Sequence, residues 1–466
     1  MKSSEPTAPP FGRTVPGNDW SVLDGQVPAS PPMVSVIVVH FEQHDDLART
    51  LAALAAQTHP ADRLEVVVVD DGSATPPSVP PGVTLLVQED RGFRAAAARN
   101  AGVAASSGSV LCFLDADTAP EPGYVEAITR LPALAPEAVT VGRRRHADLA
   151  PFVGGGSSSG SGTDSSGGGG SGIPIAQAAA GRELPEPRWL REAYADSRDL
   201  LDADERSYRH LIGAVLCCSR WFFDELGGFD EAFVEYGGED WDWAHRAWVA
   251  GAILAHVPEA VAWHNGADAA LRESDPVRAS EKKNAETLAL LPRITVPGAT
   301  GRGVASARPD VVVLLPEGDP AAVYRTADTL LRALPTALLV AADEASARLL
   351  GHDSRITGDR SGAVGLARTL IAVPSVFGVA EADSEPFGRL LTEASARVGR
   401  GTLGTVELVS PRAPFALALT STRRLARLRR WGDDTGWRTE RLPAPFVALA
   451  PQSDLAAYLG GWGDPA

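Results

Sequence analysis

The stretch Val110-Leu-Cys-Phe-Leu-Asp115-Ala-Asp117 places two carboxylates directly after five apolar residues. Such an apolar run predicts a strand buried on both faces, as in the parallel sheet of an α/β protein. Because strand side chains alternate with a period of two, we expect Asp115 and Asp117 to point the same way. Paired carboxylates at the carboxyl end of a strand are typical of Mg²⁺ or Mn²⁺ sites that carry a diphosphate. An Asp-x-Asp also occurs in solvated loops and at helix caps, so the rest of the chain must decide.

The composition indicates a globular protein of two or three domains. The chain has 466 residues, of which 44% are hydrophobic and 22% charged. Its net charge of −16 argues against a nucleic acid or an anionic membrane as partner. No apolar run reaches the length of a membrane span, and residues 1–32 lack the apolar core of a signal peptide. The three cysteines lie in apolar runs, so we expect no disulfides and a cytoplasmic protein.

A β-α-β pattern precedes the opening stretch. Residues 33–39 predict a strand, residues 45–54 a helix, and residues 65–69 a second strand that runs into Asp70 and Asp71. This order predicts parallel strands with a right-handed crossover and ligands at the strand carboxyl ends. The Ala-rich helix that follows carries Arg94 and Arg99, which could reach a nucleotide or could be ordinary surface arginines.

A second informative stretch spans residues 229–246. It contains Gly237 and Gly238, which let the backbone approach a ligand closely, followed by Glu239 and Asp240 at the start of a predicted helix. Either carboxylate could take the proton of an attacking hydroxyl, and helix capping is the alternative role. The stretch also carries Trp241 and Trp243, which could stack on sugar rings, and the later His264 is a possible metal ligand.

Together these segments fit an enzyme whose substrate is a sugar carried on a nucleoside diphosphate. The diphosphate leaving group is an anion that needs a divalent cation, and a positioned carboxylate would deprotonate the acceptor. Attack from the face opposite the diphosphate would invert the anomeric centre. In this scheme Asp70 and Asp71 would hydrogen-bond the uracil and ribose.

The order of these segments resembles family 2 glycosyltransferases of the GT-A fold, over roughly residues 33 to 290. Residues 229–246 resemble the C-terminal motif of the galactosyltransferase and chondroitin-polymerase type. The resemblance implies a metal site for Mn²⁺ or Mg²⁺ at Asp115, Asp117 and His264. It also implies that Asp240 is the base, with Glu239 at the acceptor.

The resemblance extends to the binding residues. Those implied for the nucleotide-sugar are His40, Glu42, Asp70, Asp71, Arg94, Arg99, Asp115, Ala116 and Asp117. Those implied for the acceptor are Gly237, Gly238, Trp241 and Trp243. The chain departs from many relatives at residues 40–42, where His-Phe-Glu replaces Thr-Tyr-Asn. The acceptor could be a glycan, a lipid-linked sugar, a peptide or a small molecule.

The second half of the sequence repeats the order of the first. We predict a disordered, Pro-rich tail over residues 1–32, a catalytic GT-A domain over 33–295, a linker over 296–308, a degenerate GT-A-like domain over 309–452 and a tail over 453–466. The Gly/Ser-rich segment 154–172 is expected to be a flexible insert in the first domain.

The degenerate copy would be inactive. In our alignment Glu381-Ala-Asp383 matches Asp115-Ala-Asp117, but the copy has no Gly-Gly-Glu-Asp. It would scaffold the first domain or bind an acceptor or partner. The alternative is an unrelated α/β domain whose short strands match by chance.

Two other functions compete with a glycosyltransferase. A non-catalytic sugar-binding module would not need all the predicted acids together with His264. A nucleotidyltransferase or diphosphate hydrolase on a similar sheet leaves residues 237–243 unexplained, and a nucleotidyltransferase would show a Gly/Arg/Lys-rich loop after the first strand, which residues 40–44 are not.

Overall fold

The computed structural model describes residues 8–150, 173–234, 237–267, 275–299, 308–359, 367–450 and 453–460. They form two α/β units, each with its own sheet and apolar core. The strands of the first unit are β1 (Val34–His40), β2 (Leu64–Asp70), β3 (Thr84–Val87), β4 (Val110–Asp115), β5 (Thr118–Pro120), β6 (Ala138–Ala147), β7 (Glu183–Leu184), β8 (Val215–Ser219) and β9 (Ile253–Asn265). Its helices are α1 (His44–Ala55), α2 (Ala95–Ala104), α3 (Tyr124–Leu134), α4 (Ile175–Ala179), α5 (Arg188–Asp196), α6 (Arg220–Glu225), α7 (Glu239–Val249) and α8 (Pro276–Leu290).

The first sheet has the strand order β3-β2-β1-β4-β8-β6-β9-β5, with β7 paired to β6. Strands β3, β2, β1 and β4 are parallel, and β8 is antiparallel to β4. The apolar residues of β4 are fully buried, as their continuous run in the sequence predicts. The predicted α/β class is confirmed.

Strand register brings the predicted site residues to one edge of the sheet. His40 lies beside Asp70, and the preceding residue, Val39, lies beside Asp115. Antiparallel pairing of β5 with β9 sets Thr118 opposite His264, so Asp117 ends next to this histidine. The parallel strands therefore end at the same edge, as the β-α-β pattern predicts.

The second unit repeats this topology. Its strands are β10 (Val311–Leu314), β11 (Leu338–Val340), β12 (Ile356–Thr357), β13 (Thr369–Ala372), β14 (Phe377–Gly378), β15 (Leu403–Val409), β16 (Ala416–Ser421), β17 (Arg438–Pro443) and β18 (Val447–Ala448). Its helices are α9 (Pro320–Ala333), α10 (Glu344–Leu350), α11 (Glu381–Arg397), α12 (Thr422–Trp431) and α13 (Leu455–Leu459). The order β12-β11-β10-β13-β16-β15-β17 matches β3-β2-β1-β4-β8-β6-β9, with the same parallel and antiparallel pairs. An internal duplication would produce this correspondence, and we retain it as a proposal.

Our alignment of the Asp-x-Asp motif with the second unit is wrong. Strand β13 occupies the place of β4, and Leu314 pairs with Ala372 as Val39 pairs with Asp115. The carboxylates Glu381 and Asp383 lie instead in the first turn of α11, where the helix dipole favours acidic groups. Residues 372–374 of the copy are Ala-Val-Pro and carry no carboxylate.

Both predicted tails are partly folded. Val15 and Leu23 are buried, and Asn18 makes three hydrogen bonds to the backbone of Leu200 and Leu254. At the other end α13 packs through the Tyr458 hydroxyl, which donates to Asp328. The Pro-rich composition of the first tail concealed a few residues that fill gaps in the first unit. The predicted insert 154–172 and most of the predicted linker lie outside the described residues.

No helix among the described residues is long and apolar enough to cross a membrane.

Replacing Asn18 tests the folded N-terminal segment. The Asn18→Ala substitution would remove three buried hydrogen bonds, although the Leu200 carbonyl would still accept from the Ala203 amide. We therefore expect a loss of about 2–3 kcal/mol in the free energy of unfolding. Chemical denaturation measures it, and Gln26→Ala, which removes an exposed bond to Val22, is the control. Equal stability of the two variants would show that the segment is disordered in solution.

Candidate active site

Arg99 lies at the centre of the candidate site. Its guanidinium donates from Nη1 to Glu239 Oε1 at 2.7 Å and from Nη2 to Asp115 Oδ1 at 3.1 Å. The side chain is only 4% exposed, and its guanidinium lies 5.5 Å from the ring centroid of Phe229. Although burial works in the opposite direction, the charges of Asp115 and Glu239 hold the pKa of Arg99 above its ordinary value. One arginine thus joins the two informative stretches of the sequence.

Helix α2 can carry this arginine into the interior because its other residues are small. Ala95 to Ala98 are buried, and a Cβ on Gly102 would lie 2.4 Å from the Ile37 side chain on β1. The helix therefore lies against the sheet at a distance that larger side chains would not allow.

Asp240 stands beside this ion-pair cluster at the N-terminus of α7. Gly237 and Gly238 precede the helix with φ of +94° and +98°, a conformation that favours glycine. The Asp240 carboxylate accepts hydrogen bonds from the amides of Gly213 at 3.0 Å and Trp241 at 2.8 Å. Burial, followed by the charge of Glu239, raises the pKa of Asp240 to about 7. A partly exposed carboxylate with this pKa is suited to accept a proton near neutral pH.

Glu239 is placed differently from its neighbour. Its side chain is 6% exposed, and Oε1 is held by Arg99. Glu239 therefore positions Arg99, while Asp240 retains access to a substrate.

Asp117 and His264 form the second cluster of the site. His264 Nε2 lies 3.2 Å from Asp117 Oδ2, which also accepts from Gln43 Nε2 at 3.1 Å. The other ring nitrogen of His264 lies 3.3 Å from the carbonyl of Gly266. In the tautomer that donates to this carbonyl, the Nε2 lone pair faces the carboxylate, as in metal-ligating histidines.

Asp115 is turned away from this pair toward Arg99. Burial raises the pKa of Asp115, with Arg99 opposing and Asp117 reinforcing the shift. Within the described residues no three His, Cys, Asp or Glu side chains are gathered closely enough to hold a metal ion. The structure thus brings Asp117 and His264 together but not the complete set of three.

The two acids at the end of β2, Asp70 and Asp71, have different hydrogen-bond partners. Asp70 is fully buried and is held by His40 Nδ1 at 2.7 Å and by Ser73 Oγ at 2.5 Å. Asp71 accepts from the Arg94 amide at 2.8 Å through Oδ2, and its Oδ1 is buried without a hydrogen-bond partner among the described residues. Burial raises the pKa of Asp71. Asp71 therefore has a carboxylate oxygen available for a ligand donor.

Residues 35–160 match the family model described as glycosyl transferase family 2, and residues 203–262 match the model described as the N-terminal domain of galactosyltransferase. The first match contains Arg99, Asp115 and Asp117, and the second contains Glu239 and Asp240. The predicted resemblance of this part of the chain to family 2 glycosyltransferases is thereby confirmed. With the mixed sheet described above, this confirms the predicted GT-A fold.

Individual relatives match the same part of the chain. A validoxylamine A glucosyltransferase from Streptomyces hygroscopicus subsp. limoneus is 29% identical over 46% of this chain and 48% of its own length. A hyaluronan synthase from Pasteurella multocida is 27% identical over 52% of this chain and 25% of its own. The crystal structure of GalNAc-T7 with UDP, GalNAc and Mn²⁺ matches with a TM-score of 0.35 and 18% identity, over 55% of this chain and 48% of that chain. The chain thus spans about half the length, or less, of these proteins.

Four of the predicted binding residues of the first unit are buried among other side chains. His40 and Asp70 are both fully buried and bind each other, so they hold the loop after β2 in place. Arg99 is likewise occupied inside the site. Trp243 is 0% exposed and packs against Phe223 and Phe229, so it cannot stack on a sugar.

Three other predicted residues, Glu42, Arg94 and Trp241, remain at least partly exposed, whereas Ala116 is buried. Glu42 has φ of +57° and accepts from the Ala74 amide, so it joins the loops after β1 and β2. Arg94 lies near the same edge, with Nη2 3.4 Å from Gln88 Oε1. Trp241 is partly exposed, and Lys283 Nζ lies 4.6 Å from its ring centroid.

Gly213 is a residue of the candidate site that the sequence did not predict. Besides its bond to Asp240, it packs so closely that a Cβ would lie 2.9 Å from Arg99 Nη2. The available signal was a glycine near the start of an apolar strand, which often marks a close approach of other groups.

Removing Arg99 should destabilise the domain because Glu239 would remain buried without its cation. We expect Arg99→Met to cost about 3–5 kcal/mol in the free energy of unfolding at neutral pH, measured by chemical denaturation. Protonation neutralises an unpaired carboxylate, so this deficit should shrink as the pH falls.

The control is Arg91→Met, which removes an exposed ion pair with Glu89 and should change stability by less than about 1 kcal/mol. A deficit for Arg99→Met that is small, or that does not depend on pH, would contradict the ion-pair cluster.

Proposed function

We propose that the protein is an inverting, metal-dependent glycosyltransferase that moves a sugar from a nucleotide-sugar to an acceptor hydroxyl. The donor that we propose is a UDP-sugar, whose uracil or ribose the Asp71 carboxylate would hydrogen-bond. The observation that carries the proposal is the position of Asp240. This carboxylate has a raised pKa and a partly exposed side chain, and its neighbour Glu239 shares Arg99 with Asp115 of the donor side. A base on the acceptor side and acids on the donor side therefore belong to one site.

Asp240 would act as general base. Its carboxylate takes the proton of the acceptor hydroxyl while the oxygen bonds to the anomeric carbon and the bond to the diphosphate breaks. The Gly213 and Trp241 amides fix the orientation of the carboxylate during this step. With one carboxylate at the acceptor and no covalent sugar intermediate, the transfer is a single displacement that inverts the anomeric centre.

A divalent cation would be held by Asp117 and His264, with Asp115 joining if its carboxylate leaves Arg99. Mg²⁺ usually takes only one or two protein carboxylates and completes its shell with water and substrate phosphates, so a site of this size fits. The metal, Mn²⁺ or Mg²⁺, would neutralise the charge that develops on the leaving diphosphate. Ligand exchange at Asp115 would leave Arg99 bound to Glu239.

The donor class is supported by the nucleotide loop. The buried Oδ1 of Asp71 can accept a hydrogen bond from an N–H or O–H group, as a nucleobase or ribose provides. Two relatives are named as a glucosyltransferase and a hyaluronan synthase, so we propose hexosyl or N-acetylhexosaminyl transfer.

The second unit would not catalyse transfer. At the positions of Asp115 and Asp117 it has Ala372 and Pro374. The six residues 432–437 between α12 and β17, all described, leave no room for a helix of the length of α7. We propose that this unit supports the first one.

A panel of UDP-sugars with Mn²⁺ tests the activity of the purified protein. We expect hydrolysis or transfer from at least one donor. We expect Asp240→Asn to lower kcat about 10²- to 10⁴-fold while UDP binding, measured by calorimetry, stays unchanged. The control Asp45→Asn alters an exposed carboxylate in the first turn of α1 and should leave kcat unchanged. Normal transfer by Asp240→Asn would refute the assigned base.

The raised pKa of Asp240 predicts the pH dependence of transfer. The base acts only when deprotonated, so kcat/KM should level off about one pH unit above this pKa and fall about tenfold per pH unit well below it. The residual activity of Asp240→Asn should lack this acid limb. An acid limb of the wild-type protein near pH 4 would contradict the raised pKa.

A further inference from the structure

Helix α12 of the second unit contacts the first unit at the end of α7. Three of its arginines donate to three consecutive carbonyls that directly follow this helix. The bonds are Arg430 Nη1 to Ala250 at 2.7 Å, Arg427 Nε to Gly251 at 2.7 Å and Arg423 Nη2 to Ala252 at 2.9 Å. We name residues 250–252 together with these arginines the arginine clamp.

The clamp is buried and closely packed. Arg423 and Arg427 are at most 2% exposed, and the Arg423 guanidinium lies 3.3 Å from the ring centroid of Trp248 on α7. Gly251 has φ of +93°, and a Cβ there would lie 3.1 Å from the Arg427 side chain. Little displacement of α7 along α12 is possible without breaking these contacts.

The charges of the clamp complement α7. The carbonyls at a helix C-terminus carry partial negative charge, and cations there are stabilising. Glu137 lies beside the clamp, and its carboxylate accepts from Arg430 at 2.8 Å and from Trp431 at 3.0 Å. Arg423 is met by carbonyls and by an aromatic face instead of an acid. The hydrogen bonds to the chain after α7 offset part of the cost of burying these arginines, so breaking these bonds would be unfavourable. The Nε atoms of Arg423 and Arg430 have no hydrogen-bond partner among the described residues.

The opposite end of α7 carries Glu239 and Asp240. The helix has 11 residues and hence a length of about 16 Å. A helix of three turns moves as a rigid body, so the position of its C-terminus constrains the position of its N-terminus.

We propose that Arg423, Arg427 and Arg430 are positioning residues for the glycosyltransferase site, and that the second unit supports transfer by fixing α7 through them. The proposal rests on the proposed function for its catalytic consequence, but the mechanical part is independent of it. Trp431, which follows Arg430, adds to this contact by donating to Glu137.

Amide hydrogen exchange of the full chain tests the mechanical part. The Arg427→Lys variant keeps the charge but cannot span the carbonyls of Gly251, Val15 and Gly17, which the arginine contacts simultaneously. We expect peptides from α7 to exchange at least about tenfold faster, while peptides from β4 keep their wild-type rates. The control Arg429→Lys changes an exposed arginine of the same helix and should leave α7 unaffected.

Kinetics with the donor found in the UDP-sugar panel test the catalytic part. Arg427→Lys should lower kcat about 10- to 100-fold with less than a twofold change in the donor KM, because a small shift of a catalytic group has such an effect. If Arg427→Lys does not fold, the partly exposed Arg430→Lys provides the same two measurements.

Unchanged exchange of α7, or faster exchange spread evenly over both units, would overturn the clamp. Faster exchange of α7 with wild-type kcat would overturn its catalytic role. If the wild-type protein transfers no sugar, the proposed function fails, while hydrogen exchange still decides whether α7 is held by α12.

Discussion

The buried bridge from Glu239 through Arg99 to Asp115 is the constraint on which the site depends. Transferring these charges from water to the interior is costly, and the cost is offset only when each group finds its partner. The guanidinium offers two donors in fixed directions, so it sets the distance between β4 and the start of α7. Gly213 is required beside it, because a side chain there would collide with the guanidinium. The bridge thus joins segments more than 100 residues apart in the sequence.

Helix α7 is held at both ends by arginines from different parts of the chain. Arg99 binds its first residue, and α12 binds the three carbonyls after its last. The two units share one strand order. Among the described residues of the second unit, however, there are no carboxylates at the matching strand end and no helix that matches α7. In our proposal the second unit contributes instead the arginines of α12, the helix that directly follows β16. The second unit would thereby support α7, the helix that carries the proposed base Asp240.

The sequence was sufficient to predict what depends on local patterns. Continuous apolar runs identified the buried strands, and acids at their ends identified the edge of the sheet that holds the site. The sequence was not sufficient where two nearby residues of the same type have different partners in the structure. Nothing local distinguishes Asp70, which His40 and Ser73 occupy, from Asp71, which keeps a free carboxylate oxygen among the described residues. Likewise Trp243 and Trp241 lie on different faces of the same helix. The sequence does not show that Trp243 is the one that packs against Phe229.

The stereochemistry of transfer tests the account most directly, because it depends on the placement of the acids and not on the identity of the sugar. In the proposed mechanism Asp240 lies on the acceptor side and Asp115 on the donor side, which allows a single displacement. Proton NMR of the first-formed product, with a donor of known anomeric configuration, should show inversion at the anomeric carbon. Retention of configuration would contradict the assignment of Asp240 as the base.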